Sequence, residues 1–490
     1  MNWHTLTIAL LASCISVGTL AEAKTQSKAK QTKTGIQASA SASAPEHHTT
    51  AYKRFKAILE KQTKENIYDP CPAFHEILQA TNDEFAADSW MKKAADEGCA
   101  AALYFHSVKE LNVVPANLKQ HPKVKAAVLS LKKASDKKYA PAMVDYAACL
   151  RNGVGCLKNE SMADKILMEA CRSKHIEPRY SWLLQTNRLS KYEDIQRSEV
   201  VSEIERGNHC VLYHLCNKAP DTFKKLTMLT QAARLGSSAA MYDLSLLISH
   251  INVQSAYYYL KMAAAYHEPR ALQKMGEYLI SARKEIADQL GMHKDEAAGT
   301  YLLKLATMIG NNDARLYMAK LYSEGLCGVP MSPEKAYQHL YNGTLAYPSA
   351  ELLAAQAYML ITGNGVEKNE TEGLEMLKAS VKVAASSRNP HPSILLAYVY
   401  YKGLCGADES MGRDAIYTLK DLALRGIPDC FVYLALIYQT GGNGVAKNEK
   451  EARYYLDHAK RSMGDKAEQL FNEQLEKYGE WHLLPINIVL

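Results

Sequence analysis

The chain has 490 residues, 47% of them hydrophobic and 22% charged. A single compact core does not grow to that length, so several domains or a repeat array are expected. The formal net charge is only +6, and so small a charge on so long a chain does not indicate a nucleic-acid-binding surface.

The N-terminal segment is typical of an export signal. Residues 6–20 are apolar or small and carry no charge, and residues 21–23 have the A-x-A pattern that signal peptidase cleaves. We expect residues 1–23 to be removed and the mature protein to be periplasmic or secreted. The alternative is a lipoprotein modified at Cys14, because residues 11–14 resemble a lipobox. After removal of the signal, we expect no transmembrane segment, because no later stretch is apolar for long enough.

The next segment, residues 24–50, is rich in Lys, Thr, Gln, Ser and Ala. It has too few apolar residues to fold, so we expect a disordered linker. From residue 51 to residue 475, helix formers dominate, and apolar residues recur at spacings of three and four. The alternating Val- and Ile-rich runs of strands are missing. This region is therefore predicted to be helical, and residues 476–490 form a C-terminal tail.

A two-helix unit recurs along the helical region, with clear copies starting near residues 102, 142, 314, 352, 392 and 430. Its first helix, helix A, has a small residue after leucine and ends at a glycine, which adopts the left-handed conformation at little cost. A Gly-x-Gly-Val turn follows, and then an Asn or Ser suited to cap helix B. The predicted caps are Asn159, Ser332, Asn369 and Asn448. Such units bury their apolar faces only by stacking on their neighbours.

These motifs resemble the Sel1-like repeat family, a relative of the tetratricopeptide repeats. The resemblance covers roughly residues 66–467, and it implies an all-α, right-handed α-solenoid of about ten helix pairs. The repeats are degenerate in residues 172–313. The Gly-x-Gly-Val turn is absent from residues 172–230, and one unit is shortened around residues 250–252. The resemblance also implies a monomeric scaffold that binds a protein or peptide, rather than an enzyme.

By the same resemblance, helix A lines the concave face of the solenoid. This would place five residues there: Lys320, Tyr358, Tyr398, Tyr401 and Gln439. A groove rich in tyrosine suits an extended peptide or a helix. The alternative is that these tyrosines pack between the repeats.

Two other functions stay open at this stage. Some bacterial members of the family have been linked to β-lactam binding or hydrolysis, and this chain has an S-x-x-K at residues 130–133 and a K-T-G at residues 33–35. However, the Ser-Asp-Asn motif that a serine acyl-enzyme of this kind also needs is missing, and the K-T-G sequence lies in the predicted disordered linker. The other possibility is a peptidoglycan-associated or envelope scaffold. Because H-E-x-x-H, C-x-x-C and P-loop motifs are missing, we expect no metal and no cofactor.

The chain has 11 cysteines, and ten of them remain after the signal peptide with Cys14 is removed. In an oxidising compartment some of these could form disulfides. Cys71 and Cys99 form the best candidate pair, because they flank a predicted helix hairpin whose antiparallel packing would bring them together. The alternative is that they are buried free thiols that behave as small apolar residues.

Overall fold

A computed structural model describes residues 45–112, 114, 118–281, 293–387 and 389–476. Within these ranges the chain forms 24 α-helices and two short 3-10 helices, and it contains no β-strand. The predicted signal peptide, linker residues 24–44 and tail residues 477–490 lie outside the described residues. None of the described helices is both long and apolar enough to cross a membrane.

The chain divides into two units, the first ending at Asn311. The first unit contains a 3-10 helix at Tyr192–Gln196 and fifteen α-helices. They are α1 (Pro45–Glu65), α2 (Cys71–Thr81), α3 (Ala86–Asp96), α4 (Ala100–Asn112), α5 (Pro122–Asp136), α6 (Ala140–Asn152), α7 (Glu160–Ala170), α8 (Glu177–Gln185), α9 (Ser198–Glu205), α10 (His209–Cys216), α11 (Thr222–Arg234), α12 (Ser238–Ile248), α13 (Val253–Ala265), α14 (Pro269–Ser281) and α15 (Glu296–Ile309).

The second unit begins at Asn312 and contains a 3-10 helix at Leu404–Gly406 and nine described α-helices. They are α16 (Asn312–Glu324), α17 (Pro333–Ala346), α18 (Ala350–Thr362), α19 (Glu370–Ser387), α20 (His391–Tyr401), α21 (Glu409–Leu424), α22 (Asp429–Thr440), α23 (Glu449–Met463) and α24 (Asp465–Glu476).

The all-α repeat architecture is confirmed, but two details differ from the prediction. Helix α1 begins at Pro45, so residues 45–50 of the predicted linker are helical. Proline is favoured in the first turn of a helix, which accounts for this start. The helices also outnumber the predicted ten pairs, because the degenerate region still folds as eight helices, α8 to α15. Two of these, α9 and α10, have only eight residues each.

The predicted helix ends are confirmed. The side-chain oxygen of Asn159 accepts a hydrogen bond from the backbone N–H of Met162 at 2.9 Å. The other three caps make the same type of bond at 3.1 to 3.4 Å, and they are Ser332, Asn369 and Asn448. Gly363 ends α18 with a φ of 74°. Each of these bonds satisfies a backbone group that the helix itself leaves unpaired.

The second glycine of the Gly-x-Gly-Val turn permits a close approach between repeats. A Cβ atom on Gly365 would lie 2.2 Å from the carbonyl carbon and oxygen of Pro333, in the first turn of α17. Gly155 and Gly444 occupy the same place, and a Cβ there would lie 2.9 Å and 2.6 Å from backbone carbonyl oxygens of α5 and α21. The turn after each helix A therefore packs on the start of the preceding helix B.

The small residues of helix A lie in the core. These alanines are at most 2% exposed, as expected for close helix contacts, and they are Ala147, Ala319, Ala357, Ala397 and Ala435. Within each unit, neighbouring helices pack against one another in chain order, which is how repeat proteins bury their apolar faces.

The first unit also contains a contact between helices far apart in sequence. Helix α2 packs against α15, although more than 200 residues separate them. The Lys304 ammonium donates a hydrogen bond to the backbone oxygen of Asn82 at 2.8 Å and lies 3.6 Å from a carboxylate oxygen of Glu84. His75 Nδ1 lies 2.5 Å from the hydroxyl of Tyr301. The first unit thus closes on itself, which a simple stack of repeats does not require.

Candidate functional site

The five residues predicted for a concave face do not form an accessible surface. Tyr358, Tyr398 and Tyr401 are buried, with exposures of 5%, 3% and 3%. Lys320 and Gln439 are half-buried, and burial lowers the pKa of the Lys320 ammonium. The prediction that the three tyrosine rings line a binding groove is therefore wrong.

These tyrosines instead pack between repeats, which was the alternative interpretation. The rings of Tyr358 and Tyr398 meet with centroids 6.4 Å apart. The hydroxyl of Tyr401 lies 2.6 Å from the hydroxyl of Thr440 and donates to the backbone oxygen of Gly441 at 2.8 Å. Helix α18 packs against α17, α19 and α20, so the ring of Tyr358 contacts neighbouring helices rather than solvent.

The candidate disulfide is not formed, because Cys71 and Cys99 are both free, buried thiols. The thiol of Cys99 lies 3.9 Å from the hydroxyl of Thr63 on α1. The thiol of Cys71 instead lies close to Asp69 and His267. The hairpin geometry that suggested the pair therefore directs the two sulfur atoms toward different neighbours.

The serine of the S-x-x-K sequence lies on α5. Ser130 is half-buried, and Lys133 points into solvent. The K-T-G sequence at residues 33–35 is outside the described residues. These side chains do not identify a catalytic pocket.

A cavity in the first unit is a better candidate for a binding site. Its volume is about 290 Å³, and it lies where the starts of α6 and α8 meet α4 and the segment between α1 and α2. The lining is mostly aromatic and aliphatic, and it consists of Asn66, Ile67, Tyr68, Tyr104, Ala140, Pro141, Val144, His175, Glu177 and Pro178.

Three hydrogen bonds, two from the start of α6 and one from the segment before α8, hold the chain after α1 in place at the cavity. The side-chain oxygen of Asn66, a residue in the left-handed conformation with a φ of 56°, accepts from the backbone N–H of Ala140 at 2.9 Å. The hydroxyl of Tyr139 donates to the backbone oxygen of Ile67 at 2.8 Å. His175 Nε2 lies 2.6 Å from the backbone oxygen of Glu65. These bonds pre-form the cavity wall.

The floor of the cavity is a tyrosine cluster over a buried carboxyl group. The rings of Tyr68 and Tyr104 pack edge to face with centroids 4.8 Å apart. The hydroxyl of Tyr104 donates a hydrogen bond to Asp145 at 2.8 Å. Burial raises the pKa of Asp145 to about 7, and the hydrogen bond from Tyr104 opposes that rise. The floor is therefore apolar at the rings, and the Tyr104 hydroxyl and the Asp145 carboxyl group pair below them.

The edge of the cavity combines an exposed apolar side chain with polar groups. The Ile67 side chain is 40% exposed, while His175 and Glu177 are half-buried. A concave space lined mostly by apolar side chains, with a few polar groups, is the usual form of a ligand or anchor site. No local motif marks this site in the sequence, because its lining comes from segments spread over more than 110 positions.

Comparisons with known proteins agree with the repeat architecture. Six stretches match the family model of the Sel1 repeat, at residues 86–99, 140–163, 232–265, 312–342, 348–382 and 432–459. No protein among those with curated descriptions matches the chain in sequence.

Solved structures similar to this chain include a protective antigen of uropathogenic Escherichia coli strains that displays an SLR fold. It is 17% identical, and the match covers 86% of this chain and 90% of that chain with a TM-score of 0.42. A Sel1 repeat protein from Oxalobacter formigenes is 18% identical, covering 62% of this chain and 87% of that chain, with a TM-score of 0.34. The six repeat matches, together with the two-helix units described above, show that the chain contains Sel1 repeats.

Proposed function

We propose that this chain is an exported scaffold that binds a protein partner and takes one apolar or aromatic side chain of that partner into the cavity of the first unit. The cavity carries the proposal, because hydrogen bonds hold its wall in place, most of its lining residues are aromatic, aliphatic or proline, and the exposed Ile67 stands at its edge. Sel1 repeats typically mediate protein–protein interactions, which supports a partner of that class.

The size of the cavity favours a single anchor side chain. A volume of about 290 Å³ lies at the lower limit of pockets that enclose drug-sized ligands, roughly 300 Å³. Protein interfaces concentrate their binding energy in a few aromatic or aliphatic side chains that fill such pockets. The rings of Tyr68 and Tyr104 offer an edge-to-face surface against which an aromatic anchor would pack.

The polar edge suggests what flanks the anchor. Glu177 is in the first turn of α8, and its carboxylate would attract a lysine or arginine beside the anchor. Charges at the edge of an interface act mainly on selectivity and association rate. The proposed partner segment therefore pairs one large apolar residue with a neighbouring cation.

Replacing Ile67 with aspartate is expected to weaken partner binding at least about tenfold, because it puts a charge at the entrance of an apolar site. The probe is a peptide selected from a random display library against the purified chain, and its dissociation constant is measured by fluorescence anisotropy. Selected peptides should share a large apolar residue next to a lysine or arginine.

Ile251→Asp is the matched control, because Ile251 is an 83% exposed isoleucine elsewhere in the first unit. It should leave the affinity within about twofold of the wild type. Equal losses in the two variants, or selected peptides that bind Ile67→Asp as well as the wild type, would show that the cavity is not the binding site.

The exported location rests on the sequence of residues 1–23. The apolar run and the A-x-A pattern predict cleavage after Ala23. Intact-mass analysis of protein recovered from the envelope or medium should therefore give a mature chain starting at Lys24. A lipid-modified chain starting at Cys14 would favour the lipoprotein alternative, and a full-length cytoplasmic chain would contradict export.

A further inference from the structure

Three side chains of the kinds that bind metals meet where the first unit closes on itself. Asp69, Cys71 and His267 each offer one ligand atom, and these atoms all lie within 4.8 Å of one another. Asp69 precedes α2 and Cys71 is its first residue, whereas His267 lies in the turn between α13 and α14. Nearly 200 residues separate the two parts of the cluster along the chain.

Hydrogen bonds already hold two of these groups in place. Asp69 Oδ2 lies 2.8 Å from Nδ1 of His267. The other carboxylate oxygen of Asp69 accepts a hydrogen bond from the backbone N–H of Cys71 at 3.0 Å. The bond from the backbone of Cys71 fixes the orientation of the Asp69 carboxylate before a metal arrives. A zinc ion would replace the hydrogen bond between Asp69 and His267. The thiol of Cys71 is only 1% exposed, so the site is shielded from bulk water on that side.

The backbone of His267 is in the left-handed region, with a φ of 58°. In other repeats this position after helix B holds a glycine, as at Gly98, Gly236 and Gly426, all with positive φ. Lys138 is another non-glycine residue in this place. A side chain here costs conformational energy that glycine avoids. In this repeat, histidine therefore occupies a position that glycine would fill at a lower conformational cost.

We propose that Asp69, Cys71 and His267 bind one zinc ion, with a water as the fourth ligand. Thiolate, imidazole and carboxylate are together the donor set of tetrahedral zinc. The carboxylate does not suit copper(I), and the thiolate and imidazole do not suit calcium or magnesium. Tetrahedral zinc needs ligand atoms about 3.3 to 3.6 Å apart. Asp69 Oδ2 and His267 Nδ1, now 2.8 Å apart, would therefore move apart by about 0.5 Å, and ligand atoms up to 4.8 Å apart would approach by about 1.2 Å at most.

A second histidine stands next to the proposed ion. His75 is one turn after Cys71 on α2, so both side chains lie on one face of that helix. Its ring centroid is 6.1 Å from that of His267, and its Nδ1 is engaged by the hydroxyl of Tyr301. An imidazole in this place can accept a hydrogen bond from a zinc-bound water.

The test is titration of the reduced full-length chain with cobalt(II), a spectroscopic substitute for zinc, followed by displacement with zinc. The wild type should bind one equivalent and show a near-ultraviolet sulfur-to-cobalt charge-transfer band. His267→Gly should lower the zinc affinity by at least about 100-fold, more than the loss of an outer-shell partner. Because glycine suits the local backbone, this variant should fold at least as well as the metal-free wild type.

Two controls separate the site from other thiols and from backbone effects. Cys99→Ser should keep the cobalt band, whereas Cys71→Ser should lose it. Lys138→Gly makes the same backbone change in another repeat and should leave zinc affinity unchanged. A band that survives in His267→Gly, a wild type without the band, or a Cys71–Cys99 disulfide found by mass spectrometry in the protein as isolated would overturn the proposal.

Discussion

Replacing Lys304 with alanine should lower the free energy of unfolding of the first unit by about 3 to 5 kcal/mol, the usual cost of breaking a buried ion pair from one side. The side chains of Lys304 and Glu84 are 8% and 2% exposed, with 3.6 Å between the charged atoms. The ammonium also donates to the backbone and side-chain oxygens of Asn82, at 2.8 and 3.1 Å. Alanine would leave the Glu84 carboxylate buried without this cation.

Urea unfolding followed by the fluorescence of Trp90 and Trp182 measures this effect, because both tryptophans lie in the first unit. Trp3 and Trp481 should be replaced with phenylalanine in every variant so that they do not contribute. Lys132→Ala is the control, since its ion pair with Asp136 is exposed, and it should cost under about 1 kcal/mol.

A double variant tests whether the loss comes from removing the cation beside the buried Glu84 carboxylate. Lys304→Met combined with Glu84→Leu removes both charges and retains apolar volume, so it should recover most of the stability that Lys304→Ala loses. If Lys304→Ala cost no more than Lys132→Ala, the contact between α2 and α15 would not hold the first unit closed in solution.

The sequence predicts local structure well because the signals are local. The caps at Asn159 and Asn369 and the helix end at Gly363 follow from residues within one or two turns of each other, and the structure confirms them. The repeat pattern also predicts the contacts between successive helices. It cannot predict that Lys304 reaches Asn82, because stacking alone specifies no contact across 222 positions.

The candidate site could not be predicted for a related reason. Tyr358 and Tyr398 occupy helix A, and the prediction assumed that one side of helix A faces a groove. In the structure α18 is enclosed along nearly its whole length, so their rings fill the core. The cavity around Tyr104 and the cluster at His267 both need residues from several repeats, and their spacing in sequence follows no motif.

Replacing Gly365 with alanine is expected to destabilise the second unit by about 3 to 5 kcal/mol, combining backbone strain with overpacking. The φ of Gly365 is 72°, which side chains other than glycine rarely adopt. The added methyl group would also lie 2.2 Å from two backbone atoms of Pro333 and 2.7 Å from the backbone nitrogen of Glu334. Backbone atoms of a helix start cannot rotate away as a side chain can.

Gly406→Ala separates the two causes, because Gly406 has nearly the same φ, 70°, but no atom within 4 Å of the added Cβ. It should therefore show only the conformational cost, about 1 to 2 kcal/mol. Hydrogen exchange measured by mass spectrometry gives the local free energy of opening, on peptides from α17 and α18 for Gly365→Ala and on peptides from α20 and α21 for Gly406→Ala. For Gly365→Ala, exchange should accelerate by roughly a hundredfold or more, since each 1.4 kcal/mol corresponds to a factor of ten. Equal effects at the two glycines would mean that backbone conformation alone, and not the packing of the turn on the preceding helix, accounts for the glycine at position 365.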